Sequence, residues 1–100
     1  SVLDVILDLR KKSKTYAQVD FLILSENSGK SIFLPAGIAH GFLSLEDNSG
    51  MLYSTSTVYD PTLDCGIMWN SFDYDWPIKN PNLSDRDHNH ILFNQFKSPF

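Results

Sequence analysis

"LPAGIAHGFLSLEDNS", residues 34–49, sets one proline, two glycines and one histidine in an otherwise largely apolar run. Pro35 and Gly37 favour a tight turn, because proline presets its own φ and glycine accepts backbone angles that other residues avoid. "HGFLSLE" (40–46) then alternates as a strand does, and "DNSG" turns again. His40 therefore opens a strand directly behind a turn. It reads as a packed hydrogen-bonded residue, as a metal ligand, or as part of an active site.

Short strands also flank this stretch. "VLDVILDL" (2–9) alternates, with Leu3, Val5, Leu7 and Leu9 on one face and Asp4 and Asp8 on the other. "VDFLILS" (19–25) is rich in strand formers, "ENSGK" (26–30) is a turn by composition, and "SIFLP" (31–35) is a strand ended by proline. "MLYSTSTVY" (51–59) predicts a long β-branched strand closed by Asp60 and Pro61, and "GIMWN" (66–70) a further short one. "DWPIKNPNLSDRD" (75–87) carries too many prolines for regular structure. No segment keeps a helical period. About six strands at short intervals predict an all-β sandwich or barrel, short of the eight or so strands of a complete jelly roll.

A chain of 100 residues makes one domain, residues 1–100. Its net charge of −4 removes the usual footprint of a nucleic-acid binder, and the one basic run, "RKKSK" (10–14), reads as a solvated turn. Cys65 is the single cysteine, so no internal disulfide forms and a cytoplasmic setting is expected. No apolar run approaches the roughly 20 residues that span a bilayer. The chain opens on "SVLDVILDL", and no leader peptide is expected.

Tyr53 and Tyr59 are six residues apart, an even spacing that puts both on one face of a strand, with Thr55 and Thr57 between them. His40, Phe42 and Ser44 share a face of the preceding strand. Together these groups line a polar cleft, or they form an ordinary half-exposed sheet face with aromatic cross-strand pairs. His88 and His90, in "DHNH", read as a solvated tail. "LSDRD" (83–87) is either a polar turn with Ser84 as a helix N-cap or the source of an acid that orients a histidine.

"GKSIFLPAGIAH" resembles the second signature motif of the cupin superfamily, Gly-x5-Pro-x-Gly-x2-His-x3-Asn, through Gly29, Pro35, Gly37 and His40, with Ser44 at the final Asn. Metal cupins add an upstream His-x-His…Glu motif, which does not occur here. One imidazole does not make a site that wants three or four protein ligands. No metal is therefore expected.

Six pieces in order, "DVILDLRKKSKTY", "LPAGIAHGFLSL", "YSTSTVYDP", "GIMWN", "DWP" and "LSDRD", are similar to the C-terminal part of the dTDP-4-dehydrorhamnose 3,5-epimerases, which are metal-independent cupins. The resemblance implies a cupin-type jelly-roll β-sandwich, incomplete at its N-terminus. It implies an isomerase of deoxysugar biosynthesis that needs no cofactor, works as a homodimer and takes a dTDP-linked 4-keto-6-deoxy sugar. It implies a role for each matched position. Tyr53 falls at the general acid and Tyr59 at the ring that stacks on thymine. His40 falls at a substrate-contacting histidine, and Asp64 at a substrate-binding position usually held by Glu. Arg86 falls at a substrate-contacting cation that is more often Lys, and Asp87 at the acid paired with the catalytic histidine. Ser71 stands where Asp is common. The family's base lies in an Arg-Gly-Leu-His stretch that is not among these residues. The alternatives are a nucleotide-sugar-binding module without the base, or a relative that epimerises one carbon or isomerises the ketose. On this reading His40 lines a sugar-nucleotide cleft and is not a metal ligand.

Overall fold

The computed structural model describes residues 1–100. Its centre is strand β1, Val2–Asp8, which pairs antiparallel with β2, Val19–Leu24, on one side and with β3, Ile38–Ser44, on the other. The register sets Asp4 between Leu22 and Phe42, and Ile6 between Asp20 and His40. Directly opposed residues share a face, so the sheet divides as the alternation in 2–9 predicts. One face carries Leu3, Val5 and Leu7 with Val19, Phe21 and Ile23. The other carries Asp4, Ile6 and Asp8 with His40, Phe42 and Ser44.

The buried apolar residues are Val2, Leu3, Val5, Leu7 and Leu9, all on or just beyond β1. Fully burying such a side chain is worth about 1.5–3 kcal/mol, so the hydrophobic stabilisation is concentrated in one strand. Phe21 extends the apolar face toward Tyr74, 5.8 Å away between ring centres, and Tyr74 meets Trp76 edge-on at 5.2 Å. The C-terminus returns to the same strand: buried Ser98 donates its hydroxyl to the Leu9 carbonyl, and Lys11 N–H donates to the Phe100 carbonyl.

The Pro35–Gly37 turn forms as expected. Ile38 N–H reaches back to the Pro35 carbonyl at 3.3 Å, and Leu9 N–H donates to the Gly37 carbonyl at 2.9 Å. Gly37 has φ +92 and lies against the Arg10 side chain, so both its angle and its space exclude a Cβ. The turn thereby fixes where β3 begins and where His40 falls.

Three of the expected strands do not appear as strands. Residues 31–35 and 51–59 have no ladder, and 66–70 contributes a single bridge, Ile67 to Ile91. A β-branched run becomes a strand only against a partner that buries it. Within this chain 51–59 meets none, and Leu52 is 99% exposed. The helices are brief: α1, Asp85–His88, and the 3-10 turn Phe93–Gln95. No helix is long and apolar enough to cross a membrane.

Concentration of the core in β1 gives unequal effects of truncation. Leu7→Ala should cost about 2–5 kcal/mol, and Leu52→Ala should stay within about 0.5 kcal/mol. Urea unfolding of the two variants measures both; equal losses would place a second core around 51–59.

Candidate functional site

The polar face of the sheet carries the first group of interest. Asp4 is wholly buried, hemmed by Leu22 and Phe42 across the ladder and by Val2 and Ile6 along its own strand. His40 Nδ1 lies 3.3 Å from Asp4 Oδ2, while the His40 side chain remains 40% exposed. Asp4 Oδ1 is buried and has no hydrogen-bond partner in the chain. β1 thus brings a buried carboxylate behind an imidazole that stays partly exposed.

Two rungs along β1, Asp8 is satisfied completely. Arg10 grips it with Nε at 3.0 Å and a terminal nitrogen at 2.9 Å, Arg10 N–H donates at 2.9 Å, and the Thr15 hydroxyl donates to Oδ2. These bonds, Arg10 first and Thr15 next, hold the Asp8 carboxyl far below the ordinary aspartate range. The "RKKSK" turn is therefore solvated but anchored at its first residue. Asp8, Arg10, Thr15, Gln18 and Asp20 line a cavity of about 290 Å³ beside Ile6, the residue opposite His40.

A depressed folded-state pKa stabilises above the unfolded value, about 3.9, and that stability is lost as pH falls toward the folded value. Asp8→Asn should therefore be less stable than the native chain at neutral pH. The gap between the two should close progressively below about pH 3.9. Urea midpoints across a pH series read this directly; a gap independent of pH would remove the charge from the explanation.

The second group lies between residues 60–71 and 84–93. Asp60 accepts from the Thr62 backbone N–H at 2.9 Å and from its hydroxyl at 2.7 Å, which lowers the Asp60 pKa and shapes the turn that leads into Asp64. Asp64 Oδ2 meets an Arg86 guanidinium nitrogen at 2.6 Å. Ser84 caps α1 by accepting from Asp87 N–H at 3.1 Å, as its place in "LSDRD" predicts. The Asp87 carboxylate then lies 3.1 Å from His90 Nε2. His90 is not in a solvated tail, as the sequence suggested: its side chain is mostly buried, packed on Gly66, where a Cβ would come within 2.4 Å of the ring. Ser71, where the family commonly has Asp, donates to the Met68 carbonyl at 2.7 Å and accepts from Phe93 N–H at 2.9 Å, tying the two segments together.

Gly66→Ala should cost about 1–3 kcal/mol by forcing the His90 ring aside. His90→Ala in the same background should recover most of that loss. A double-mutant cycle on urea stability measures the coupling; additive losses would mean that the ring and Gly66 do not meet.

Among the residues expected in one cleft, the structure joins Asp64 to Arg86 and gives His40 a carboxylate. It does not join the tyrosines to His40. Tyr53 and Tyr59 are 72% and 66% exposed, lie outside any strand, and take part in none of the chain's aromatic pairs. Their even spacing does not put them on one sheet face, because 51–59 is not a strand here. Two partners were not foreseen. Asp4 is signalled only by its alternation onto the face that His40 shares, and His90 by its three-residue offset from Asp87. No group of three or more His, Cys, Asp or Glu side chains is placed to hold a metal ion.

The three-stranded antiparallel sheet, with β3 following the Pro-x-Gly turn and carrying His40, fits part of an all-β fold of the cupin type. More narrowly, the family model for dTDP-4-dehydrorhamnose 3,5-epimerase matches residues 1–95, and the chain belongs to that family. It is 38% identical over 90 residues to a dTDP-4-dehydrorhamnose 3,5-epimerase of Shigella flexneri, covering 88% of this chain and 50% of that one. It is 38% identical over 92 residues to the enzyme of the same name from Mycobacterium tuberculosis strain H37Rv, covering 87% and 46%. A dTDP-4-dehydrorhamnose 3-epimerase of Streptomyces niveus is 35% identical over 94 residues, covering 92% and 45%. The chain spans about half the length of the curated relatives it matches.

Proposed function

We propose that this chain carries the substrate-facing half of a nucleotide-sugar epimerase acting at C3 and C5 of dTDP-4-keto-6-deoxyglucose, in dTDP-rhamnose or related deoxysugar biosynthesis. The family match over residues 1–95 carries this reading. In it the enzyme is a cytoplasmic homodimer that needs neither metal nor cofactor. A C–H bond beside the C4 ketone is weakly acidic; a base removes the proton, and donors or cations stabilise the enolate. Tyr53 returns a proton from the opposite face, a role suited to a weak acid with a pKa near about 10. Tyr59 stacks on the thymine. His40, Asp64 and Arg86 contact the substrate, and Asp87 orients the histidine base. The pairing of Asp64 with Arg86 leaves most of the guanidinium N–H groups free for a ligand.

A second reading, a nucleotide-sugar-binding module without turnover, is favoured by one observation. The Asp87 carboxylate, at the position the family pairs with its histidine base, is already engaged by His90. Epimerisation at one carbon is a third, supported by the likeness to the Streptomyces niveus protein.

Deuterium incorporation from solvent into the dTDP-4-keto-6-deoxyhexose separates these readings. Exchange at C3 and C5 supports the first, exchange at one carbon the third, and binding without exchange the module. The 100-residue chain alone should run slower than a full-length relative by about 10²–10⁴-fold, the usual worth of a general base. A segment carrying Arg-Gly-Leu-His should restore exchange, and Tyr53→Phe should then abolish reprotonation while leaving binding intact. Tyr59→Ala should weaken thymidine diphosphate binding about fivefold to a hundredfold, as expected for a lost base–aromatic stack. Full turnover by the chain alone would move the base inside it, to His40 first.

A further inference from the structure

Asp4 is the one buried side chain whose polar atoms the chain leaves half unsatisfied. An ionised carboxylate out of water is stable only when paired and hydrogen-bonded. Asp8, on the same strand and face, shows the satisfied case, with Arg10 and Thr15 closing on both oxygens. Asp4 has only His40, through Oδ2, and its Oδ1 meets nothing. Leu22 and Phe42 flank it across the ladder, a setting in which an apolar side chain would pack without loss. A residue that a strand's core would be more stable without is a mark of a site where position matters more than stability.

We propose that Asp4 is the positioning residue of His40. With the Asp4 carboxylate as acceptor, the proton between the two belongs to Nδ1. The neutral imidazole is then held with Nδ1–H toward Asp4 and with Nε2, bare of hydrogen, on the exposed side of the ring. Free histidine prefers the opposite tautomer, so Asp4 inverts the intrinsic preference. The ligand-facing edge of His40 is thereby an acceptor: it takes a hydrogen bond from a hydroxyl, and it gives none to a ketone or phosphate oxygen. That last step, a sugar hydroxyl as the group His40 receives, rests on the nucleotide-sugar reading; the tautomer does not.

The test is the ring ¹⁵N spectrum of His40 in the full 100-residue chain, at a pH about two units above the ordinary imidazole pKa near 6.5. The native chain should show the Nδ1–H tautomer; an Nε2–H spectrum overturns the proposal, and the native protein alone decides this. Asp4→Leu should restore the Nε2–H form while keeping a urea midpoint at or above that of the native chain, because replacing a half-paired buried charge by an apolar side chain is commonly neutral or stabilising. An unchanged tautomer in Asp4→Leu also overturns it. Binding separates the ligand reading from the tautomer. Asp4→Leu should weaken the dTDP-4-keto-6-deoxyhexose at least fivefold and leave thymidine diphosphate unchanged. If the native chain shows Nδ1–H but binds neither nucleotide, the positioning role stands and the nucleotide-sugar reading fails.

Discussion

β1 is hydrogen-bonded on both sides, and β2, β3 and the polar face they build take their positions from that double ladder. Neighbours on both edges of β1 satisfy its backbone groups, and its side chains are buried on both faces apart from half-buried Ile6. The apolar members of the alternation accept this readily. The two aspartates do not, and each needs its own remedy. The hairpin from β1 to β2 supplies one, wrapping Arg10 and Thr15 around Asp8. β3 supplies the other in part, bringing His40 behind Asp4. The chemistry on the polar face is a consequence of placing carboxylates on a central strand.

The residues of chemical interest form two separate His–Asp pairs on different supports. His40 and Asp4 stand on the sheet, where the register of two strands fixes them. His90 and Asp87 stand on a one-turn helix and the chain that leaves it, pinned by the Ser84 cap, the Gly66 contact and the Ile67–Ile91 bridge. The sheet pair is the more rigid support, since ladder bonds hold both strands, and rigid elements place functional groups better than loops do. The second pair sits beside the Asp64–Arg86 ion pair, so that region concentrates both charges of the expected binding set. Arg86 is largely exposed, and the ion pair adds little to stability while holding one guanidinium nitrogen against Asp64.

Both sheet edges, β2 and β3, end the ladder in this chain, and the β-branched segment 51–59 lies outside it. Unpaired edges and an exposed run with high β-propensity are the features that invite further strand pairing. Tyr53 and Tyr59 lie on that run, which has no ladder partner among the 100 residues.

The sequence by itself determined the family, the all-β class and the three strands that form. It also determined the turn ahead of His40, the Ser84 cap and the face that His40, Phe42 and Ser44 share. These are local properties: alternation, proline and glycine angles, and side chain to backbone bonds within a few residues. The tertiary structure alone decided which strand-forming runs found a partner, and so left 31–35 and 51–59 without ladders. It alone decided that Asp4 stands behind His40, 36 residues away in sequence, and that Asp64, 22 positions before Arg86, is held by it. It drew His90 out of the expected tail onto Gly66. Such contacts depend on strand register and on what chain segments bury against one another, and neither is encoded in the spacing of one stretch. Burial then sets the chemistry, because a carboxylate becomes a constraint on its neighbour only when water is no longer there to satisfy it.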